Sequence, residues 1–206
     1  MKLKVIIYLL FLTLYSCSSQ SINKSDLTFK GNLWYLDNNL YSGEVYQIVR
    51  KEKKILGKLR KGVKEDYWVE FGSLIWRQGA YVKGNKDGSW NGFYVDSTKA
   101  FNGAYENGLK VDFWNGWNKE GVQIYRGQYI EGKKNGIWVY KYDNGQVSDS
   151  GQYKNDFMSG QWKYWFENGS LMKEGSYNSN GQEILKWLYY DIDGMLKNEK
   201  EFINKN

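Results

Sequence analysis

The chain contains no histidine and no proline, and its one cysteine is Cys17. It therefore cannot build a Ser-His-Asp arrangement, a Cys-His pair, a zinc site of the His/Cys kind or an internal disulfide. Most enzyme classes go with them, and the expectation is a protein that is not an enzyme and needs no cofactor. In place of proline, 23 glycines and recurrent asparagines punctuate a chain that is 18% aromatic. That is the composition of many short strands joined by tight turns, so the expected class is all-β. A long apolar run is missing too. Val5 to Leu14, preceded by Lys2 and Lys4, is about half the roughly 20 residues that a spanning helix needs, and has the length of a secretory signal core.

Leu14-Tyr15-Ser16-Cys17 closes that segment and resembles the bacterial lipobox. The resemblance implies that residues 1–16 are removed and that Cys17 becomes the lipidated first residue. An ordinary soluble secretory signal is the competing reading; the only cysteine, standing after a small residue at the cleavage point, favours the lipobox. Two or more acyl chains hold a protein on a bilayer stably. The expected address is the bacterial cell envelope, lipid-anchored, at the outer membrane. Loss of Lys2 and Lys4 with no acid lowers the formal charge from +6 by two, to +4.

Downstream, Gly-x-Tyr recurs at a 24-residue interval: Gly79/Tyr81, Gly103/Tyr105, Gly127/Tyr129, Gly151/Tyr153 and Gly175/Tyr177. Trp90, Trp114, Trp138 and Trp162 each follow their glycine by eleven residues, and Trp187 follows Gly175 by twelve, so the last unit has gained one residue near 182–185. A degenerate earlier unit keeps Gly57, Leu59, Gly62 and Trp68, at an interval of 22 to Gly79. A period of this length marks stacked copies of one supersecondary unit, each too small to bury its own apolar face.

Within a unit, Gln123 to Glu131 and Ile137 to Tyr142 read as strands, with turns at 132–136 and at Asp143-Asn144-Gly145. Asn144-Gly145 and Asn168-Gly169 are expected to form type I′ hairpin turns. Alternation puts Trp138, Tyr140 and Tyr142 on one face. The expected aromatic ladder is Tyr81, Trp90, Tyr105, Trp114, Tyr129, Trp138, Tyr153, Trp162, Tyr177 and Trp187. A strand glycine at each repeat means that a neighbouring ring lies over it, or that it marks a bulge or barrel corner.

The run Gly127, Tyr129, Gly132, Gly136, Trp138, Tyr140 and Asn144-Gly145, repeated in the next unit, resembles the MORN-repeat variant of bacterial proteins. The resemblance covers about 57–202. Asp156 and Asp112 depart from its glycine pattern, and the last unit lacks the glycine nine residues on. It implies an elongated, single-layer antiparallel meander of hairpins without catalytic residues, in a family with antitoxin-labelled members.

The expected organisation is a signal at 1–16, a polar tether at 17–26, a capping hairpin and basic segment at 27–56, and the array at 57–206. Between Arg50 and Glu65 stand Arg50, Lys51, Lys53, Lys54, Lys58, Arg60, Lys61 and Lys64 against Glu52 and Glu65. They read either as a contact for anionic envelope surfaces or as a solvated edge hairpin that blocks sheet pairing. Basic residues among aromatics also suit single-stranded nucleic acid, a role not expected of an exported chain. Three functions are weighed: an envelope-anchored binding or scaffolding module for a protein or glycan, a lipoprotein immunity factor against a toxin, and a glycan-directed enzyme using Asp66 and Glu70 or Asp191 and Asp193. Acids so close along strands are usually solvated turn or edge residues.

Cys17→Ala should release the protein from membranes and abolish its labelling by a fatty-acid analogue. An unlabelled wild type, or a variant that stays membrane-bound, would remove the anchor from this reading.

Overall fold

The computed structural model describes residues 21–202; the signal segment, Cys17 and residues 203–206 lie outside the described residues. The protein is all-β. Its opening strands are β1 (Ser21–Asn23), β2 (Thr28–Lys30), β3 (Leu33–Leu36), β4 (Asn39–Leu40), β5 (Gly43–Val49) and β6 (Glu52–Arg60). Then follow β7 (Val63–Phe71), β8 (Ile75–Val82), β9 (Asn85–Tyr94), β10 (Lys99–Glu106), β11 (Leu109–Trp117) and β12 (Gln123–Ile130). The last six are β13 (Lys133–Lys141), β14 (Val147–Lys154), β15 (Phe157–Trp165), β16 (Leu171–Tyr177), β17 (Glu183–Tyr190) and β18 (Leu196–Phe202). From β5 onward each strand pairs with its neighbours in sequence, giving an open 15-stranded sheet with β1 and β18 at its ends. Among the described strands only β1 joins in parallel, on β5. Among the described residues no helix is long and apolar enough to cross a membrane.

One register runs through the array. Trp68 pairs Gly79, Gly79 pairs Trp90, Trp114 pairs Gly127, Trp138 pairs Gly151 and Trp162 pairs Gly175. Each indole lies flat on the glycine before it. A Cβ on Gly79, Gly103, Gly127, Gly151 or Gly175 would stand 2.0 to 2.5 Å from its nearest ring atoms, closer than atoms can approach. The ladder glycines are bulge sites as well, since the register shifts beside Gly79, Gly103, Gly127, Gly151 and Gly175. Both physical reasons for a strand glycine thus hold at the same residue.

The bulge has a fixed chemistry. Two residues before each of the six ladder tryptophans the backbone turns left-handed: Asp66, Gly88, Asp112, Gly136, Gly160 and Leu185 have φ between 57° and 69°. The indole Nε1 then donates to the carbonyl just past the ladder glycine, at Ala80 for Trp90, Ala104 for Trp114, Gln128 for Trp138, Gln152 for Trp162 and Ser176 for Trp187, over 3.0 to 3.3 Å. Disruption of the ladder would otherwise leave an acceptor unsatisfied.

The turns differ from expectation. Gly136 is this bulge residue, so the segment 132–136 is no turn; the chain reverses at Glu131-Gly132, and β13 resumes at Lys133. Type I′ geometry, with both central φ values positive, belongs to Lys61-Gly62, Lys83-Gly84, Asn107-Gly108, Glu131-Gly132 and Asn155-Asp156. Asn144-Gly145 and Asn168-Gly169 do reverse the chain, by another geometry. Only the glycine has positive φ, and its N–H donates to Tyr142 or Phe166 over 2.9 Å. That is a type I turn closed by a left-handed glycine, with the asparagine side chain accepting from the N–H two residues on. The extra residue of the last unit sits in its turn, where three residues, 179–181, replace the usual two. The two missing after Trp68 come from the tight 72–75 connection, whose strands pair without a register shift.

Units are stitched at both ends. Turn N–H groups of Gly84, Gly108, Gly132 and Asp156 donate to Lys64, Lys86, Lys110 and Lys134 of the unit before, over 2.8 to 3.1 Å. At the other end Asn144 Nδ2 reaches the Glu167 carbonyl at 3.0 Å, and Tyr142 Oη the Trp165 carbonyl at 2.7 Å.

The N-terminal region departs from the expected hairpin over 33–47. Leu33 to Leu40 turns at Asp37-Asn38 and forms a separate three-stranded sheet with β2, whereas Gly43 to Val49 is already a strand of the main sheet. Residues 21–26, read as tether, form β1 and a turn of 3-10 helix, because Ile22 and Leu27 have Val45, Leu56 and Leu59 to pack on. The sheet passes residue 57 without a break.

Gly127→Ala should lower stability by about 3 kcal/mol, since the methyl meets the Trp138 ring. Leu185→Gly should raise it by about 1 kcal/mol by relieving a left-handed, exposed leucine. Urea unfolding monitored by tryptophan fluorescence checks both signs.

Candidate binding surfaces

The sheet has two unlike faces. On the first, Trp68, Tyr81, Trp90, Tyr105, Trp114, Tyr129, Trp138, Tyr153, Trp162, Tyr177 and Trp187 form one unbroken series of edge-to-face contacts, with centroids 5.1 to 6.3 Å apart. Such geometry places each ring's positive edge on the next ring's negative face. Lysines cover the outside: Nζ of Lys64, Lys86, Lys110 and Lys134 lies 3.9 to 4.8 Å from the Trp four residues on. Met158 takes that position in the next unit, and Lys173 reaches over Trp187 from the neighbouring strand. Burial pulls the ammonium pKa of Lys86, Lys110 and Lys134 down and pushes the Tyr125 phenol up to about 12. The Lys-x-x-x-Trp spacing was readable in the sequence, hidden among 29 basic residues. Every ladder ring is thus occupied with its own fold.

Beside Trp68 the ladder face carries an acidic hub. Glu70 takes Lys64 at 2.6 Å, Arg77 at 2.7 Å, Lys86 at 3.5 Å and the Tyr81 hydroxyl at 2.6 Å. Burial opposes its ionisation, but the hydrogen bonds from Lys64 and Tyr81 and the nearby cations outweigh it and hold the carboxyl well below the usual range. Burial and Glu70 push the Tyr81 phenol up. The hub borders a cavity of about 200 Å³ between cap and sheet, walled by Leu27, Trp34, Trp68 and Phe71.

The paired acids do not form reactive couples. Asp66 is a bulge residue and Glu70 is neutralised. Asp191 closes a turn by accepting from the Asp193 and Met195 N–H groups at 3.1 and 2.8 Å, and pairs with Lys197 at 3.2 Å. Among the described residues no acidic cluster is arranged to hold a metal ion.

The basic run does not gather into one patch. Arg50-Lys51 and Lys61 form the turns at opposite ends of β6, whose nine residues separate them by about 30 Å. That exceeds the roughly 8 Å screening length at physiological salt. Lys53 bonds Ser21 at 2.7 Å and lies over Tyr46, Lys54 pairs with Glu52 at 2.5 Å, and Lys64 belongs to the ladder. Lys58 and Arg60 remain exposed on β6.

The second face bears a row that sequence reading missed, because it exists only through pairing. Val69, Gln78, Asn91, Asn102, Asn115, Arg126, Val139 and Ser150 stand opposite one another on eight successive strands. At its middle, Asn115 Nδ2 donates to Asn102 Oδ1 at 3.0 Å and Gln123 Nε2 to Asn115 Oδ1 at 3.1 Å. Beside them Phe113 is half exposed, its ring 4.9 Å from the Arg126 guanidinium. A shallow depression of about 320 Å³ is lined by Ser89, Asn91, Asn102, Gly103, Ala104 and Phe113.

No protein-family model matches the chain, and no curated protein matches it. Among solved structures, "Crystal Structure of TarM" is similar at 15% identity over 48% of this chain and 19% of that chain, with a TM-score of 0.30. A likeness this slight carries no argument.

Glu70→Gln should cost about 2 kcal/mol at pH 7, because three cations lose their counterion. The folded pKa is depressed, so the carboxylate's contribution is present above the unfolded value of about 4.3 and is lost as pH falls through the folded one. Below about pH 4.3 the wild type should therefore lose stability more steeply than the variant. Parallel melting curves from pH 7 to pH 2 (roughly the acid limit for such melts) would assign the hub no such role.

Proposed function

We propose that the protein is a non-catalytic binding or scaffolding module of the bacterial cell envelope, lipid-anchored through Cys17, built on MORN-like repeats. One observation carries the reading: the two faces divide their labour. Ladder rings and their lysines are spent on each other, while the second face displays amides, a half-exposed ring and a depression, and among the described residues the side-chain amides of Gln78 and Asn91 make no hydrogen bond. An extended face made of repeats suits recognition of something extended. The engagement of Glu70 and Asp191 in structural contacts speaks against the glycan-directed enzyme. No feature of the fold favours the immunity-factor reading over general binding.

A photo-crosslinking side chain at exposed Ser89 or Gln161, in full-length protein within intact membranes, should retain a macromolecule that one placed at the Lys197 edge does not. Retention of nothing from the second-face positions would overturn the proposal.

A further inference from the structure

We infer that the row Gln78, Asn91, Asn102, Asn115 and Arg126, with Phe113, is a binding site for a linear, hydroxyl-rich glycan strand. The inference rests on the binding-module reading and names the ligand class for its second face.

Strand pairing sets the spacing. The five residues lie on β8 to β12 at about 4.8 Å per strand, so the row runs about 19 Å across the sheet. Each planar amide offers two donors and one acceptor oxygen at a fixed angle. A pyranose edge presents neighbouring hydroxyls that each donate and accept, the complement of such an amide. The bonds from Asn115 to Asn102 and from Gln123 to Asn115 hold the middle of the row in place. Among the described residues the side-chain amides of Gln78 and Asn91 make no hydrogen bond, which leaves them for a ligand.

The relief suits a sugar ring. Gly103 and Ala104 floor the depression with almost no side chain, and Asn91 and Asn102 stand beside it. Phe113 flanks it with half its ring open, while Arg126 covers part of that ring. An aromatic surface next to planar amides meets both the C–H and the O–H faces of a pyranose. Arg126, at the end of the row, would take an acidic substituent where the glycan carries one.

Other occupants fit less well. A protein interface would bury this row of amides in what should be its dry core, where each unmatched amide is costly. A nucleic-acid strand needs cations along its whole track, and this row has one.

The test is cosedimentation of full-length, detergent-solubilised protein with four insoluble glycans: chitin, cellulose, linear plant β-mannan and purified peptidoglycan sacculi. At least one should retain the wild type, and Phe113→Ala and Asn91→Ala should each weaken retention about tenfold with unchanged thermal melting. Ile137→Ala, which removes an exposed apolar side chain from the same face beyond the row, should leave it unchanged. Retention by none of the four glycans, or equal retention of Phe113→Ala and wild type, overturns the inference. If the Ser89 crosslinker then still captures a protein, the binding module stands without its glycan; if it captures nothing, both fail.

Discussion

Everything in this protein depends on an indole lying flat on a glycine one strand away. Beyond the small N-terminal sheet that packs beside Trp68, the array has no second layer to cover its apolar side, so the rings must dry one another. The glycine lets the indole sink onto backbone, the bulge beside it frees one carbonyl, and the indole N–H satisfies that carbonyl. The result is that Trp90, Trp138, Trp162 and Trp187 are the largest fully buried side chains among the described residues. Tyrosines separate successive indoles edge-on, and lysine stems close the outside, their ammonium groups over ring faces.

The same constraint explains a substitution pattern that looks irregular along the chain. Two residues past the tryptophan stand Gly92 and Gly116 in early units but Tyr140 and Tyr164 in later ones. Where the glycine occurs, the facing strand supplies the ring: Phe101 lies on Gly92 and Tyr125 on Gly116. Where tyrosine occurs, the facing residue is Asp149 or Lys173. One ring is needed per place, and either strand can bring it.

How much of this could be read beforehand follows from which interactions leave a spacing. The Gly-to-Trp interval, the all-β class and the reversals at Asn144-Gly145 and Asn168-Gly169 were legible because each is a local pattern repeated in register. Turn type was not, since Asn-Gly suits two geometries and the flanking bulges decide between them. Gly136 looked like turn punctuation because a left-handed glycine serves a strand bulge and a turn equally; Leu185 shows that the backbone takes that shape even without glycine. Lys64 read as one of eight surface cations, for nothing in a basic run says which lysine faces a ring. The amide row was invisible: Gln78, Asn91, Asn102 and Asn115 follow no single interval, and only pairing aligns them.

Because every strand from β5 to β17 hydrogen-bonds only its predecessor and successor in the sheet, the array can be assembled in the order in which it emerges. No strand there waits for a distant stretch of chain, and loop-closure entropy stays small at each step. A growing end does present an unpaired edge, which is a hazard until the next hairpin arrives. β18 blunts that edge by composition: Lys200 faces Trp187 where every earlier ladder tryptophan, from Trp68 between Gly57 and Gly79 onward, has a glycine on both flanks, and a charged side chain there offers no bed for another indole. An indole arriving from a further hairpin would meet a lysine on β18 in place of the glycine that every ladder tryptophan lies on.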